Sequence, residues 1–374
     1  MNMNTKSFFT ALLTAFLVLP TASCLLPACF SQGTWPWAKQ TLGGGTSGDK
    51  CRNICSDASG NVYITGDFDS APMTIGSYTL TNNNPGSSYY LAKYDANGNV
   101  LWVRQHTVGT AYGERGTSVC TDAAGNVYVA VNYYDGSITF GSFTFSTASW
   151  DWNIVLVKYD ASGNLLGAQG AGGTSDDHAW GIATDPSGNV YVVGEFSSPS
   201  ITFGSTTLTN PGTESVFLIK FDASGNVLWY DVPGQNVTGP DVATDASGNV
   251  YICGEFMGSI TFGYTTLTQT SSSFNQSYIA KYNASGNALW AKQSVQNWKT
   301  GALAIAVNPA GTAAYIVGAF HEFSLGNPAS FGSFTIYQQG SWDAFFVGYN
   351  ASSGSEFCAM SIGHPSAMAV YGTG

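Results

Sequence analysis

Three acid–base dipeptides recur at one place in the chain. Asp49-Lys50, Glu114-Arg115 and Asp177-His178 each begin eight residues ahead of the Asp of an Asp-x-x-Gly-Asn turn, at Asp57, Asp122 and Asp185. The later units carry Val237 and Thr300 there, so a rim built from these loops would be charged in one sector and neutral in another, with Asp176 and Asp241 close by. Loop clusters of this kind suit a polar ligand or a cation; ordinary solvated charge is the plainer use. The candidate rim site is therefore Asp49, Lys50, Glu114, Arg115, Asp177, His178 and Asp241. Trp150, Trp152 and Trp298 stand on Ser/Thr/Asn-rich stretches and could stack on sugar faces or simply pack.

Glycan cleavage is the competing chemistry, with Asp177 and either Asp241 or Glu114 as the paired carboxylates of glycoside hydrolysis. Repeat-equivalent acids argue against it, because the acid and the base need unlike environments. No catalytic residue is assigned. A second set of charges lies inside the units: Asp67, Asn132, Glu195 and Glu255 on one strand face Lys93, Lys158, Lys220 and Lys281 on the next, and are expected to pair across it. Cys51, Cys55, Cys120, Cys253 and Cys358 fall where other units place core side chains and read as structural thiols. Cys51 and Cys55 have no second ligand pair, and the Asp-x-x-Gly-Asn turns lack the alternating acids of a calcium loop. His106, His178, His321 and His364 share no ligand spacing and no Gly-x-Ser-x-Gly occurs, so neither metal nor cofactor is expected.

The elements that would position these residues follow from the repeat. Asp-x-x-Gly-Asn-Val-Tyr begins at Asp57, Asp122, Asp185 and Asp245, with a degenerate Asn308-Pro309-Ala310-Gly311, a period of about 63 residues. Half a unit later comes a second turn, in Lys93-Tyr94-Asp95, Lys158-Tyr159-Asp160, Lys220-Phe221-Asp222, Lys281-Tyr282-Asn283 and Gly348-Tyr349-Asn350. Asp or Asn can bond backbone amides and Gly supplies the positive φ of a tight reversal, so each unit holds two hairpins. Alternating β-rich runs around the turns predict four strands per unit, and Ile138–Phe145, Ile201–Leu208, Ile260–Leu267 and Ser330–Ile336 predict an extra hairpin. The expected fold class is all-β: a propeller of four-stranded antiparallel blades, five complete (about 49–105, 114–169, 177–231, 237–293 and 300–360) plus a partial sixth. Segments 35–40 and 364–370 look like its outermost and innermost strands, so the chain reads as an imperfectly closed ring or a fragment.

Composition sets the outer bounds. Charged residues make up 9% of the 374, against a usual ~25%, while apolar residues at 44% suffice for a core. The net charge of −11 repels phosphate backbones, which excludes nucleic acid as a partner. Lys6 followed by the apolar run 8–19, Pro20 and small residues predicts a signal peptide over 1–31 and a secreted or cell-surface protein. Cleavage after Ser23 would instead expose Cys24 for lipidation, the weaker route because Pro20 and Thr21 stand where aliphatic residues are preferred. No other run is long enough to span a bilayer, so the mature domain, 32–374, is expected to be a monomer without a transmembrane span.

The repeat resembles the bacterial β-propeller repeat (SBBP) family in Gly-Asn-Val-Tyr, in Phe-Gly-Ser, and in Lys-Tyr-Asp-Ala-Ser-Gly-Asn-Val-Leu-Trp-Ala-Lys-Gln. Trp37-Ala38-Lys39-Gln40 and Trp290-Ala291-Lys292-Gln293 match the end of the last element letter for letter. The resemblance covers nearly everything after residue 33 and implies secreted or surface proteins of Bacteroidota-like bacteria, without a general catalytic site. The reading that results is an exported, non-enzymatic binding or surface-display module for a glycan or protein ligand.

Overall fold

The computed structural model describes residues 37–39, 42–43, 48–69, 72–270, 274–295, 299–321, 328–337 and 342–362. The signal segment 1–31, the segment 364–370 and Trp298 lie outside the described residues, as do Trp35, Pro36 and Gln40 of the segment 35–40. Among the described residues every regular element is a strand, and no helix is long and apolar enough to cross a membrane.

Five antiparallel meanders of four strands follow one another. The first comprises Lys50–Ser56, Val62–Phe68, Ser88–Tyr94 and Val100–Arg104, the second Gly113–Thr121, Val127–Phe140, Phe143–Tyr159 and Leu165–Ala171, and the third Asp177–Thr184, Val190–Phe196, Ser215–Phe221 and Val227–Gln235. The fourth is Val237–Thr244, Val250–Phe256, Gln276–Tyr282 and Ala288–Val295, and the fifth Lys299–Val307, Ala313–His321, Trp342–Asn350 and Glu356–Ile362. The first strand of each sheet packs beside the first strand of the next. The apolar clusters accordingly form slabs between consecutive sheets; Tyr63, Leu91 and Trp102 of the first sheet meet Val129, Val131 and Val155 of the second. Sheets stacked face to face through their inner strands make a β-propeller.

Both turns of each unit sit at one end of the sheets, and their chemistry explains why the unit repeats. Asp57 accepts the amides of Ser59 and Asn61 on Oδ1, at 2.9 and 3.0 Å, and Asn61 Nδ2 and Tyr63 Oη on Oδ2, at 2.8 and 2.9 Å. Burial pushes its carboxyl up, but these four donors outweigh it and hold Asp57 below the usual carboxylate range. Gly60 at φ 77° closes the turn. The arrangement recurs at Asp122, Asp185 and Asp245.

The lysines of the third strands belong to this end, not to the acids expected opposite them. Lys220 is registered with Tyr191, and Glu195 with Val216, which separates Lys220 and Glu195 by most of the strand length. The expected pairs of Asp67 with Lys93, Glu195 with Lys220 and Glu255 with Lys281 are therefore not formed, because each acid and each lysine stand at opposite ends of antiparallel neighbours. The lysines instead clasp the next sheet. Lys93 Nζ and Trp102 Nε1 both donate to Ala161 O, at 3.0 and 3.2 Å. Lys220 and Trp229 meet Ala284 O, and Lys281 and Trp290 meet Ala351 O. Lys158 holds Ala223 O alone, since its register partner is Gly167 in place of Trp. Trp37 fills the corresponding place on the first sheet, donating to Ala96 O at 2.9 Å and stacking on Tyr94.

The extra hairpins are straps between sheets. Ile260 in the hairpin Ser259–Phe262/Thr265–Thr268 pairs with Gly234 of the third sheet's outer strand, and Phe331 of Pro328–Phe331 pairs with Ser294 of the fourth. Their alternate residues, Ile201, Phe203, Ile260, Phe262 and Phe331 among them, are buried, which anchors each strap. The second sheet differs: its strap is continuous with its second and third strands. Cys51, Cys55 and Cys120 are free thiols; burial pushes those of Cys55 and Cys120 up, so they behave as apolar packing.

Candidate functional site

At the end opposite the turns, the acid–base dipeptides stand at the start of the inner strands of the first three sheets. Neighbouring residues of a strand point to opposite faces, and this divides every pair. Glu114 is fully buried, with Oε2 2.7 Å from His106 Nδ1 and accepting the Tyr89 amide at 3.2 Å, while Asn84 Nδ2 donates to Oε1. Asp177 is fully buried and accepts Ser198 Oγ at 2.8 Å and the Ser198 amide at 3.2 Å. Burial pushes its carboxyl up to about 7, against the hydrogen bonds from Ser198 and with a smaller push from nearby Asp151. Asp49 is half-buried and takes the Asp69 amide at 3.2 Å. These acids are struts at the sheet ends. Asp241 sits mid-strand, buried, and accepts the Ile305 amide of the next inner strand at 3.1 Å, just as Asn53 takes the Val119 amide.

The bases face the other way. Lys50, Arg115 and His178 occupy one register position, opposite Asp67, Asn132 and Glu195. Next to it every inner strand is bulged, which places Arg52, Thr117, Trp180 and Leu303 as extra residues. Arg52 pairs with Asp67, and Lys50 approaches Asp67 at 4.0 Å. Arg115 lies over the Trp152 ring at 4.1 Å. His178 stacks on Trp180 with centroids 5.1 Å apart and an 11° tilt, and meets Trp152 at 5.7 Å. Burial holds His178 down at about 4, so the imidazole is neutral at pH 7.

The second sheet supplies the rest of an aromatic row. Because its second and third strands run on into the strap, Tyr134 and Trp152 remain cross-strand neighbours beyond the point where the first, third and fourth sheets end. Asp135 and Gly136, at φ 46° and 86°, make the bulge that lets the ribbon continue; a Cβ on Gly136 would stand 2.6 Å from Thr110 O. Trp152 lies 5.2 Å from Tyr134, Tyr134 lies 6.3 Å from Trp150, and Trp150 lies 5.2 Å from Tyr112. Trp150 is 67% exposed and Tyr112 47%. The contacts join Tyr112, Trp150, Tyr134, Trp152, His178 and Trp180 into one row crossing from the second sheet to the third. The opposite face of the second sheet holds a polar groove of about 510 Å³ lined by Tyr133, Thr147, Asn153 and Gly172 among others.

Of the residues singled out in the sequence, the structure brings Arg115, His178 and Trp152 together and puts Trp150 beside them. Lys50 lies with Arg52 and Asp67, and Glu114, Asp177, Asp241 and Asp49 serve the backbone. Tyr112, Tyr134 and Trp180 were missed. The aromatic pair Tyr133-Tyr134 closing a β-rich run was the available signal for Tyr134; the bulge that turns Trp180 has none. Among the described residues no group of three His, Cys, Asp or Glu is placed to hold a metal ion.

No family model matches the chain. The chain is similar to an uncharacterized WD repeat-containing protein, L264, of Acanthamoeba polyphaga mimivirus, with 26% identity over 335 residues, covering 72% of this chain and 24% of that protein. It thus spans about a quarter of the length of this curated relative. Among solved structures it is similar to the Dos1 propeller, at 10% identity and a TM-score of 0.42, covering 86% of this chain and 64% of that one. It is also similar to a protein of unknown function from Dyadobacter fermentans, at 11% identity and a TM-score of 0.42, covering 83% of this chain and 92% of that one.

Proposed function

We propose that this protein is an exported, non-enzymatic β-propeller of the SBBP type that binds a carbohydrate on the aromatic row. The observation that carries this reading is Trp150, two-thirds exposed yet held against Tyr112 and Tyr134. An indole fixed in place with an open face offers apolar area at little cost in side-chain entropy, which suits the flat apolar face of a sugar ring. The polar Ser, Thr and Asn of the surrounding loops supply hydrogen bonds for hydroxyl groups. Binding is favoured over cleavage because Glu114 and Asp177 expose no surface and are engaged by backbone amides. Export rests on the residue pattern of 1–31. The inference of a partial sixth blade is supported by Trp37, which uses the same contact on Ala96 that Trp102 uses on Ala161.

Retardation on a panel of immobilised polysaccharides, with reducing ends assayed in parallel, tests the reading. Retention lost in Trp150→Ala, with unfolding unchanged and no sugar released, is the expected result. Release of reducing ends that Asp177→Asn abolishes would sink it in favour of a hydrolase.

A further inference from the structure

Arg115 differs from every other cation at its end of the sheets. Lys50 and Arg52 meet Asp67, and Lys299 stands 3.6 Å from Glu255. The cross-strand partner of Arg115 is Asn132, where the first, third and fourth sheets carry Asp67, Glu195 and Glu255. Asn132 is itself buried and committed to the third sheet, its Oδ1 accepting the Ala179 amide at 3.0 Å and its Nδ2 donating to Ala179 O at 3.2 Å. Among the described residues Arg115 has no ion pair and no side-chain hydrogen bond; it lies over the Trp152 ring. Asp67 and Asp69 attract it from the first sheet and Arg52 opposes it, but burial outweighs these and lowers its affinity for the proton. A half-buried guanidinium with five unspent donors, set over an indole at 4.1 Å, is prepared for a planar anion.

We propose that the ligand of the aromatic row is an acidic glycan, a uronate-containing oligosaccharide whose carboxylate takes the Arg115 guanidinium while an adjoining sugar ring lies on Trp150. This rests on the carbohydrate reading above and adds its chemical class. His178, neutral at pH 7, can donate or accept a hydrogen bond beside the carboxylate without adding charge. The net charge of −11 opposes a dense polyanion at long range. A sparsely charged uronate segment read by one guanidinium suits both facts.

Calorimetric titration with a xylan oligosaccharide bearing a single glucuronate branch, as the free acid and as its methyl ester, tests the assignment. The wild-type protein should bind the acid about ten- to a hundred-fold more tightly than the ester, the range of a charge-assisted bidentate contact. Arg115→Gln should bring the acid down to the affinity of the ester and leave the ester unchanged. Asn132→Asp, which restores the carboxylate the first, third and fourth sheets carry, should also remove the preference by occupying Arg115. Trp150→Ala should weaken both ligands alike. Equal binding of acid and ester by the wild type, a comparison that needs no variant, would overturn the acidic assignment; loss of both in Trp150→Ala would then leave the carbohydrate reading standing. Failure of the acid, the ester and the neutral panel to bind would reject both.

Discussion

The two ends of the sheets are built by the same strands and used differently. At the turn end the same residue types return unit after unit, and each has a fixed partner: the turn Asp takes Asn and Tyr, while Lys and Trp take a carbonyl of the next sheet. At the other end the position of Lys50 becomes Arg115, His178, Thr238 and Gly301, and the bulged position of Arg52 becomes Thr117, Trp180, Pro240 and Leu303. Stacking is fixed where the sequence repeats. The opposite end is released from that duty and can vary, which is why, among the described residues, its aromatic row crosses one junction between sheets.

The comparison breaks if the repeated end is not what holds the sheets. Trp290 is 8% exposed, donates to Ala351 O at 3.2 Å and stacks on Tyr349. Trp290→Ala should cost about 3–5 kcal/mol in denaturant unfolding, the range for truncating a buried indole. Ligand affinity per folded molecule should be unchanged, since the row lies on the second and third sheets. A loss below about 1 kcal/mol, a value typical of surface changes, would deny the clasp its role.

A second test sets a strut of the varied end against its own ionisation. Asp177 has its carboxyl raised to about 7 by burial, from an ordinary 3.8. Below the ordinary value it is protonated in both folded and unfolded chains and destabilises neither. As pH rises from about 4 to about 7 the unfolded chain ionises it while the folded chain keeps the proton, so stability falls; above that the penalty is constant. Asp177→Asn keeps an acceptor for Ser198 and removes the penalty. It should match the wild type near pH 4 and exceed it by on the order of 3 kcal/mol at pH 8. His178 titrates in the opposite sense, its contribution full above 6.5 and lost as pH falls toward about 4. That term is common to both proteins, so their difference isolates Asp177. A difference independent of pH would show that Asp177 is ionised in the fold.

Much of the turn end was legible in the sequence, because one spacing repeated over several units fixes hairpins, strand count and the place of Trp37 before any contact is known. The direction of a side chain was not. Asp49-Lys50, Glu114-Arg115 and Asp177-His178 read as loop pairs, yet each lies at the start of the inner strand, where alternation sends the acid into the sheet junction and the base outward. The lysines were assigned to the wrong acids for a related reason: pairing by strand, without register, ignores the distance between the two ends. The row itself depends on a ribbon that continues through Asp135 and Gly136 in the second sheet, a departure from the first, third and fourth sheets that comparing units tends to average away.

The smallest expected effect gives the sharpest test of interchangeability at the turn end. Gly167 stands in register with Lys158 as Trp102, Trp229 and Trp290 stand with their lysines. A Cβ built there meets nothing within 4 Å. On the third sheet the receiving turn keeps its carbonyl, Ala223 O, already held by Lys158 at 2.8 Å, and Phe221 stands where Tyr282 and Tyr349 receive their indoles. Gly167→Trp should therefore place an indole over Gly225, add a bond to Ala223 O and remove a flexible residue from a strand. The gain should be about 1 kcal/mol, read as a higher urea midpoint with an unchanged slope. Gln169, whose Oε1 lies 3.7 Å from a Cβ on Gly225, must swing aside, and this limits the gain. A lower midpoint would mean that the clasp is tuned to each junction, so that the turn end, like its opposite, is specific to place; a higher one would confirm that its parts exchange freely between sheets while those of the varied end do not.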